Sequence, residues 1–470
     1  LIRCDTDEVV RSLVVLALCL AAACGDNIRG EGDEDAGPVA HSVFVANQDA
    51  LVSYDLGTGW LRPGRVEGLH YPNNMVALAD GHILLSNPEE NDAGEVVVVQ
   101  ASTMAEVTRT PSTMEESGCS YHPNQLYLTP DRRFALVLND SCEGEGSSAG
   151  FIDVRSDSSS RFALVGEVPL GLYWHNAAFS RTQERVVITN GGDCNEVLAI
   201  YDYGDIDHIR KVAALPIEAV GFHNDPPADG TYDPTYCDND GEGLGQIPGP
   251  GECATASNGR AYCTIGATGD VVSIDLDADD PSFDLVRIRG RWGLQMRLHP
   301  DGRHLYALHS YPYGGCTIGQ LVVIDSQSDA VVAQLPLGYY GPGCTEDLTG
   351  TLFEDAQPTG LTFTLDGQTL YVNVGALVGD QELVLDVRDP AAPVQLGSLD
   401  VGLGRGPDVL SGDGRFLVHV EGVEEVGTLT LIDAPAHELL GVIRTEEEPR
   451  VAVTFGTEEG PSPQDGPFDP

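Results

Sequence analysis

Four short motifs set an imidazole beside aromatic and amide side chains: His70-Tyr71-Pro72-Asn73, Tyr121-His122-Pro123-Asn124, Trp174-His175-Asn176 and Phe222-His223-Asn224-Asp225. Imidazole is the commonest protein ligand for transition metals, and several converging imidazoles suit copper, zinc or iron. His70, His122, His175 and His223 are therefore the candidate ligands of such an ion. Their offsets within the repeat described below are uneven, which favours reading them as residues that cap strand entries or pack in the funnel. A second stretch, Asp238-Asn239-Asp240-Gly241-Glu242, sets oxygen donors at alternate positions. Calcium loops use that spacing, which makes Asp238, Asp240 and Glu242 candidate calcium ligands, although a full loop with its terminal bidentate Glu is missing. There is no His-Glu-x-x-His and no Walker-type loop. With 73 Asp and Glu in the chain, no two carboxylates single themselves out as an acid–base pair.

Those carboxylates face only 25 Lys and Arg, for a net charge of −48. Nucleic acid and anionic membrane surfaces are excluded as partners, since both require clustered Lys and Arg. A solvated acidic surface, or capture of cations and basic partners, is what the charge allows.

Residues 13–23 form a short apolar run preceded by Arg11. The run has signal-peptide length and is too short to span a bilayer. Leu20-Ala21-Ala22-Ala23-Cys24 resembles a bacterial lipobox, with Ala21 where Leu is usual. The resemblance implies a signal peptide over 1–23, cleavage before Cys24 and lipidation of the Cys24 thiol. Residues 24–40 are polar, acidic and Gly-rich, and read as a flexible tether; 457–470 read as a disordered tail. The expected location is the bacterial cell envelope, in the outer membrane on its periplasmic side or at the cell surface.

Eight cysteines remain beyond Cys24: Cys119, Cys142, Cys194, Cys237, Cys253, Cys263, Cys316 and Cys344. An even number in an oxidising compartment favours disulfides, and none forms a Cys-x-x-Cys zinc pattern. Position in the repeat suggests 119–142 and 316–344. The other four are paired as 194–237 and 253–263, which spacing alone leaves open.

A repeat organises residues 41–456. A strand leads to a Pro-Asp-Gly-like turn, then a second strand, a loop, and a third apolar strand ending in Asp. One copy runs Leu298-His299-Pro300-Asp301-Gly302-Arg303-His304-Leu305-Tyr306, continuing to Val322-Val323-Ile324-Asp325. Asp-Gly between apolar runs is a strong hairpin signal, because Gly accepts the positive φ the turn needs. The terminal Asp recurs as Asp55, Asp153, Asp202, Asp275, Asp325, Asp386 and Asp433, with Gln100 in the equivalent place. An Asp there bonds its own backbone as an Asx-turn. Periods of this length with several short strands mean propeller blades. The expectation is an all-β propeller of about eight four-stranded blades, or seven if one weak unit is a loop. The first unit lacks an inner strand, and Arg450-Val451-Ala452-Val453-Thr454-Phe455 is placed to supply it and close the ring.

The combination Pro358-Thr359-Gly360, Asp366-Gly367, Leu370-Tyr371-Val372-Asn373 and Leu385-Asp386 resembles the YVTN-type and lactonase-like β-propellers. The resemblance covers roughly 41–456 and implies the fold; such families include binding proteins and enzymes. The repeat places outer-to-inner connections (218–255, 339–357) and second-to-third-strand loops (139–149, 190–196, 310–318) on one face. All the cysteines except Cys263 are expected in these loops. The expected role is a monomeric, non-catalytic scaffold that binds an envelope protein, peptide or glycan on that face. It would meet the membrane only through its lipid. The alternative is a metal-dependent oxidoreductase or lactone hydrolase using His122, His175 and His223. Candidate cofactors are accordingly a transition metal or calcium.

Overall fold

Strands such as Ser42–Asn47 and Thr369–Gly375 are buried along their whole length. Their sequences are continuous apolar runs where a half-exposed sheet would show alternation, because each lies between two neighbouring sheets. The outer strands differ: Glu438–Arg444 is mostly exposed. The computed structural model describes residues 41–88, 94–114, 122–140, 147–171, 176–189, 196–222, 250–266, 268–288, 291–313, 316–340, 353–354, 357–375, 380–402, 408–423, 426–445 and 449–454.

Among these residues there are eight antiparallel sheets, each a propeller blade, numbered here from the N-terminus. Seven have four strands. Blade 6 has a fifth, Phe353–Glu354, which runs parallel to its outer strand Ala330–Tyr340. Blade 1 is composite. Its inner strand is Pro449–Thr454, paired with Ser42–Asn47 through Phe44↔Val453 and Val45↔Ala452. The expected ring closure is thus present, and the count is eight.

Each turn at the end of a third strand is held by its Asp. Asp325 Oδ1 accepts the Gln327 N–H at 2.9 Å, and Asp153 accepts that of Arg155 at 3.0 Å. Asp55, Asp202, Asp275, Asp386 and Asp433 do the same for the backbone two or three residues on. Gln100 instead donates its amide to the Gly81 carbonyl. At the turn before each second strand, Gly302 and Gly367 take φ of 72° and 66°. Arg132 replaces Gly in the copy Asp131-Arg132 and still adopts φ 54°.

Eight apolar clusters fill the eight seams between adjacent blades. One joins Val43 and Val45 of blade 1 to Val418 and Leu429 of blade 8, so the core is a continuous annulus. Tyrosines on second strands bolt neighbours together. The Tyr371 hydroxyl of blade 7 donates to the Ala434 carbonyl of blade 8 at 2.8 Å, and Tyr262 of blade 5 to Ser326 of blade 6 at 3.0 Å.

A chain ending at residue 448 loses the inner strand of blade 1, including buried Val451 and Val453. Burial of two valines alone is worth about 3–6 kcal/mol, a large part of a typical folding free energy. The expected result is loss of the cooperative thermal transition in the shortened chain and its retention in a chain ending at 456. Equal melting of the two would show that the seam does not close the ring.

Candidate functional site

Of the imidazoles singled out from the sequence, His70 is exposed in the connection between blades 1 and 2. Its backbone N–H donates to Asn87 Oδ1 at 2.6 Å. His122 begins the inner strand of blade 3, His122–Leu128, with its side chain outside the described set. His175, His223, Asp238, Asp240 and Glu242 lie outside the described residues, as do Cys24, Cys119, Cys142, Cys194, Cys237 and Cys344.

Cys253 and Cys263 form a disulfide. They sit directly opposite each other on the inner and second strands of blade 5, Pro250–Thr255 and Arg260–Ile265, and both are fully buried against blade 4. Cys253 therefore belongs to a strand, where the sequence suggested a loop. Cys316 likewise opens the third strand of blade 6. The segment 310–318 is not a loop: the ladder between His304–Tyr313 and Cys316–Asp325 continues to the pair Tyr313↔Cys316.

The described residues bring together a set that the sequence reading did not find. Glu382, Asp408 and His419 each offer a ligating atom, and these atoms lie within 4.8 Å of one another. Register explains the meeting. Glu382, on the third strand of blade 7 (Asp380–Asp386), is opposite Asn373 on the second strand. Asp408, on the inner strand of blade 8 (Asp408–Leu410), is opposite His419 on the second strand (Phe416–Val423). The two pairs face each other across the seam. Asn373, Glu382 and His419 are fully buried and Asp408 is 3% exposed.

Within the set, His419 Nδ1 and Asp408 Oδ1 are 2.8 Å apart. Asn373 Nδ2 lies 3.4 Å from Glu382 Oε2 and 3.5 Å from His419 Nδ1, while Asn373 Oδ1 accepts the Thr359 hydroxyl. Asp408 Oδ2 is buried with no hydrogen-bond partner. Among the described residues, His419 is the ion-pair partner of Asp408. On the same face of the second strand, two residues beyond His419, the Glu421 carboxylate accepts the Thr428 hydroxyl. The available signal was an ionisable side chain inside a strand buried on both faces: Glu382 before Leu383-Val384-Leu385, and His419 between Val418 and Val420.

Other seams treat buried polar groups differently. Glu252 and Arg297, on the inner strands of blades 5 and 6, form a buried ion pair at 2.6 Å. Tyr127 of blade 3 donates to Asn176 Oδ1, just ahead of blade 4, at 2.9 Å. His309, on the second strand of blade 6, is fully buried with neither ring nitrogen hydrogen-bonded. Burial pushes its imidazole down to about 4, so the ring is neutral at pH 7.

No protein-family model matches the sequence, and no curated protein matches it. Solved structures match the fold. AztD from Citrobacter koseri, in its apo form, superimposes with a TM-score of 0.54 at 11% identity, over 88% of this chain and 97% of its own. The periplasmic gluconolactonase PpgL of Pseudomonas aeruginosa gives 0.50 at 12% identity, over 87% and 98%. A Lactobacillus plantarum protein gives 0.50 at 14% identity, over 79% and 98%. At these identities the likeness is one of fold alone.

The neutral state of His309 has a consequence for acid stability. Its folded pKa lies below the ordinary 6.5, so the unfolded chain binds the proton first. The contribution is fully present above pH 6.5 and is lost as pH falls through about 4. In that window it changes by up to about 1.4 kcal/mol per pH unit. Denaturant titrations at several pH values should show a flatter dependence in His309→Leu than in the parent chain. Parallel curves would remove His309 as the acid-sensitive group.

Proposed function

We propose that the protein is a lipid-anchored envelope propeller that works by binding, on the face carrying its second-to-third-strand hairpins. The supporting observation is the asymmetry of the two faces. On one, Asx-held turns keep the connections short. On the other, blade 6 rises above its neighbours. Its second, third and outer strands have 10, 10 and 11 residues, where the second strand of blade 5 has 6 and that of blade 7 has 7. Three extra residues project about 10 Å. Because the ladder is paired to its end and backed by a fifth strand, the projection is stiff. Recognition placed on rigidly supported connections is a common use of such scaffolds.

The net charge of −48 favours a partner rich in Lys and Arg, a basic peptide or protein segment, over a neutral glycan. The rival reading is a lactone hydrolase or oxidoreductase. It rests on the fold shared with PpgL, while His175, His223 and the His122 side chain lie outside the described residues.

The test uses a variant in which residues 311–318 are replaced by a two-residue Asn-Gly turn. Binding of the mature chain and the variant to basic, neutral and acidic peptide and glycan arrays is compared, with melting as the folding control. Salt-sensitive binding of basic ligands by the parent, reduced at least tenfold in a variant of unchanged melting temperature, supports the proposal. Indistinguishable binding by the two, or turnover of gluconolactone by the parent, overturns it.

A further inference from the structure

From the seam between blades 7 and 8 we infer a divalent-metal site in which Glu382, Asp408 and His419 staple the two blades through a first-row transition ion, Zn²⁺ or Mn²⁺. Three observations carry it. The first is the donor set itself: two carboxylates and one imidazole, drawn from two blades, with ligating atoms within 4.8 Å of one another. The second is Asp408 Oδ2, a buried carboxylate oxygen with no hydrogen-bond partner. A buried acceptor left unmade is costly, and a carboxylate more so than a neutral group. The third is the seam's apolar content. Its cluster holds seven buried apolar residues among those described, whereas the other seven seams hold eleven to sixteen. The polar set stands where the other blades have hydrophobic contact.

The ligand chemistry selects the ion. Carboxylate oxygens suit Mn²⁺ and accept Zn²⁺, and the imidazole nitrogen favours these over Ca²⁺, which takes oxygen ligands. Asn373 can complete the set. Its amide oxygen is held by the Thr359 hydroxyl, a group that accepts as readily as it donates. Turning the amide over would keep a bond to Thr359 and point Oδ1 at the ion. Access is short: Asp408 is the first residue of its strand and Glu382 the third of its own, so the set lies within about 7 Å of the strand ends. Gly360 borders the set from the inner strand of blade 7; a Cβ there would sit 3.3 Å from Asn373 Cβ and 3.8 Å from Asp408 Oδ2.

The experiment is thermal melting of the chelator-treated, untagged mature chain with Zn²⁺, Mn²⁺ or Ca²⁺ added, together with metal stoichiometry by elemental analysis. The same measurements are made on Glu382→Gln, Asp408→Asn and His419→Ala. The expected result is a rise of at least about 3 °C with Zn²⁺ or Mn²⁺, about one ion per chain, and no rise in the three variants. Asp408→Asn supplies the folding control, since relieving one buried charge should leave the metal-free variant at least as stable as the metal-free parent. Three outcomes overturn the inference. One is no stabilisation by either transition ion. Another is stabilisation by Ca²⁺ alone. The third is stabilisation that survives in the three variants but is lost in His122→Ala or His175→Ala, which would move the ion to the channel.

Discussion

Eight sheets packed face to face around an axis leave two raw faces unless the first and last blades meet. Here they meet through the apolar seam joining Val43 and Val45 to Val418 and Leu429, and blade 1 is itself completed by the backbone ladder between Ser42–Asn47 and Pro449–Thr454. The two chain ends thereby share one sheet, and separating them exposes both an unpaired strand edge and the flank of blade 8. Each remaining seam depends on this closure. A blade has two apolar faces, and only a complete ring covers all sixteen of them across the eight blades.

That constraint explains how polar groups are handled in the core. A strand buried on both faces offers an ionisable side chain no route to water. The chain resolves this in three ways. Glu252 and Arg297 neutralise each other across blades 5 and 6. His309 stays uncharged. Between blades 7 and 8, two carboxylates share a site with one imidazole, and His419 is the described ion-pair partner of Asp408. The first pairs its charges and the second carries none at pH 7. The third has an acceptor to spare, and it occurs in the seam with the fewest buried apolar residues among those described.

What was legible in the sequence was local. The Asp that ends a third strand bonds backbone two or three residues on, so its recurrence reports the turn directly, as Asp325 and Asp153 do. Closure was legible because the first unit lacked a strand and Arg450–Phe455 offered one. The hairpin at 310–318 was read as a loop because Pro312, Gly314 and Gly315 interrupt the alternation; the ladder nevertheless runs through Pro312, which faces Thr317. Cys253 was read the same way, yet its strand places it opposite Cys263. The Glu382–Asp408–His419 set was invisible for a different reason. Its members are far apart in sequence, and their meeting depends on which face each residue takes in its own blade. A one-residue slip in either second strand would send Asn373 or His419 into a different seam.

The two faces of the ring are under different demands. Turns at the ends of first and third strands are short and saturated with side-chain-to-backbone bonds. Ion pairs such as Arg303–Asp325 and Arg155–Asp153 add to them and hold both carboxyls well below their usual range. For Asp325 the Arg303 hydrogen bond is the largest cause; for Asp153 the Arg155 and serine hydrogen bonds outweigh the opposing effect of burial. Any lengthening there would break several bonds at once. On the opposite face a hairpin can grow outward without disturbing the seams below it. Blade 6 has done so, and Gly319 shows where the growth must still respect its neighbour: a Cβ at that position would lie 2.5 Å from Pro358 Cδ of blade 7. Up to that level the longer strands are packed against blade 7.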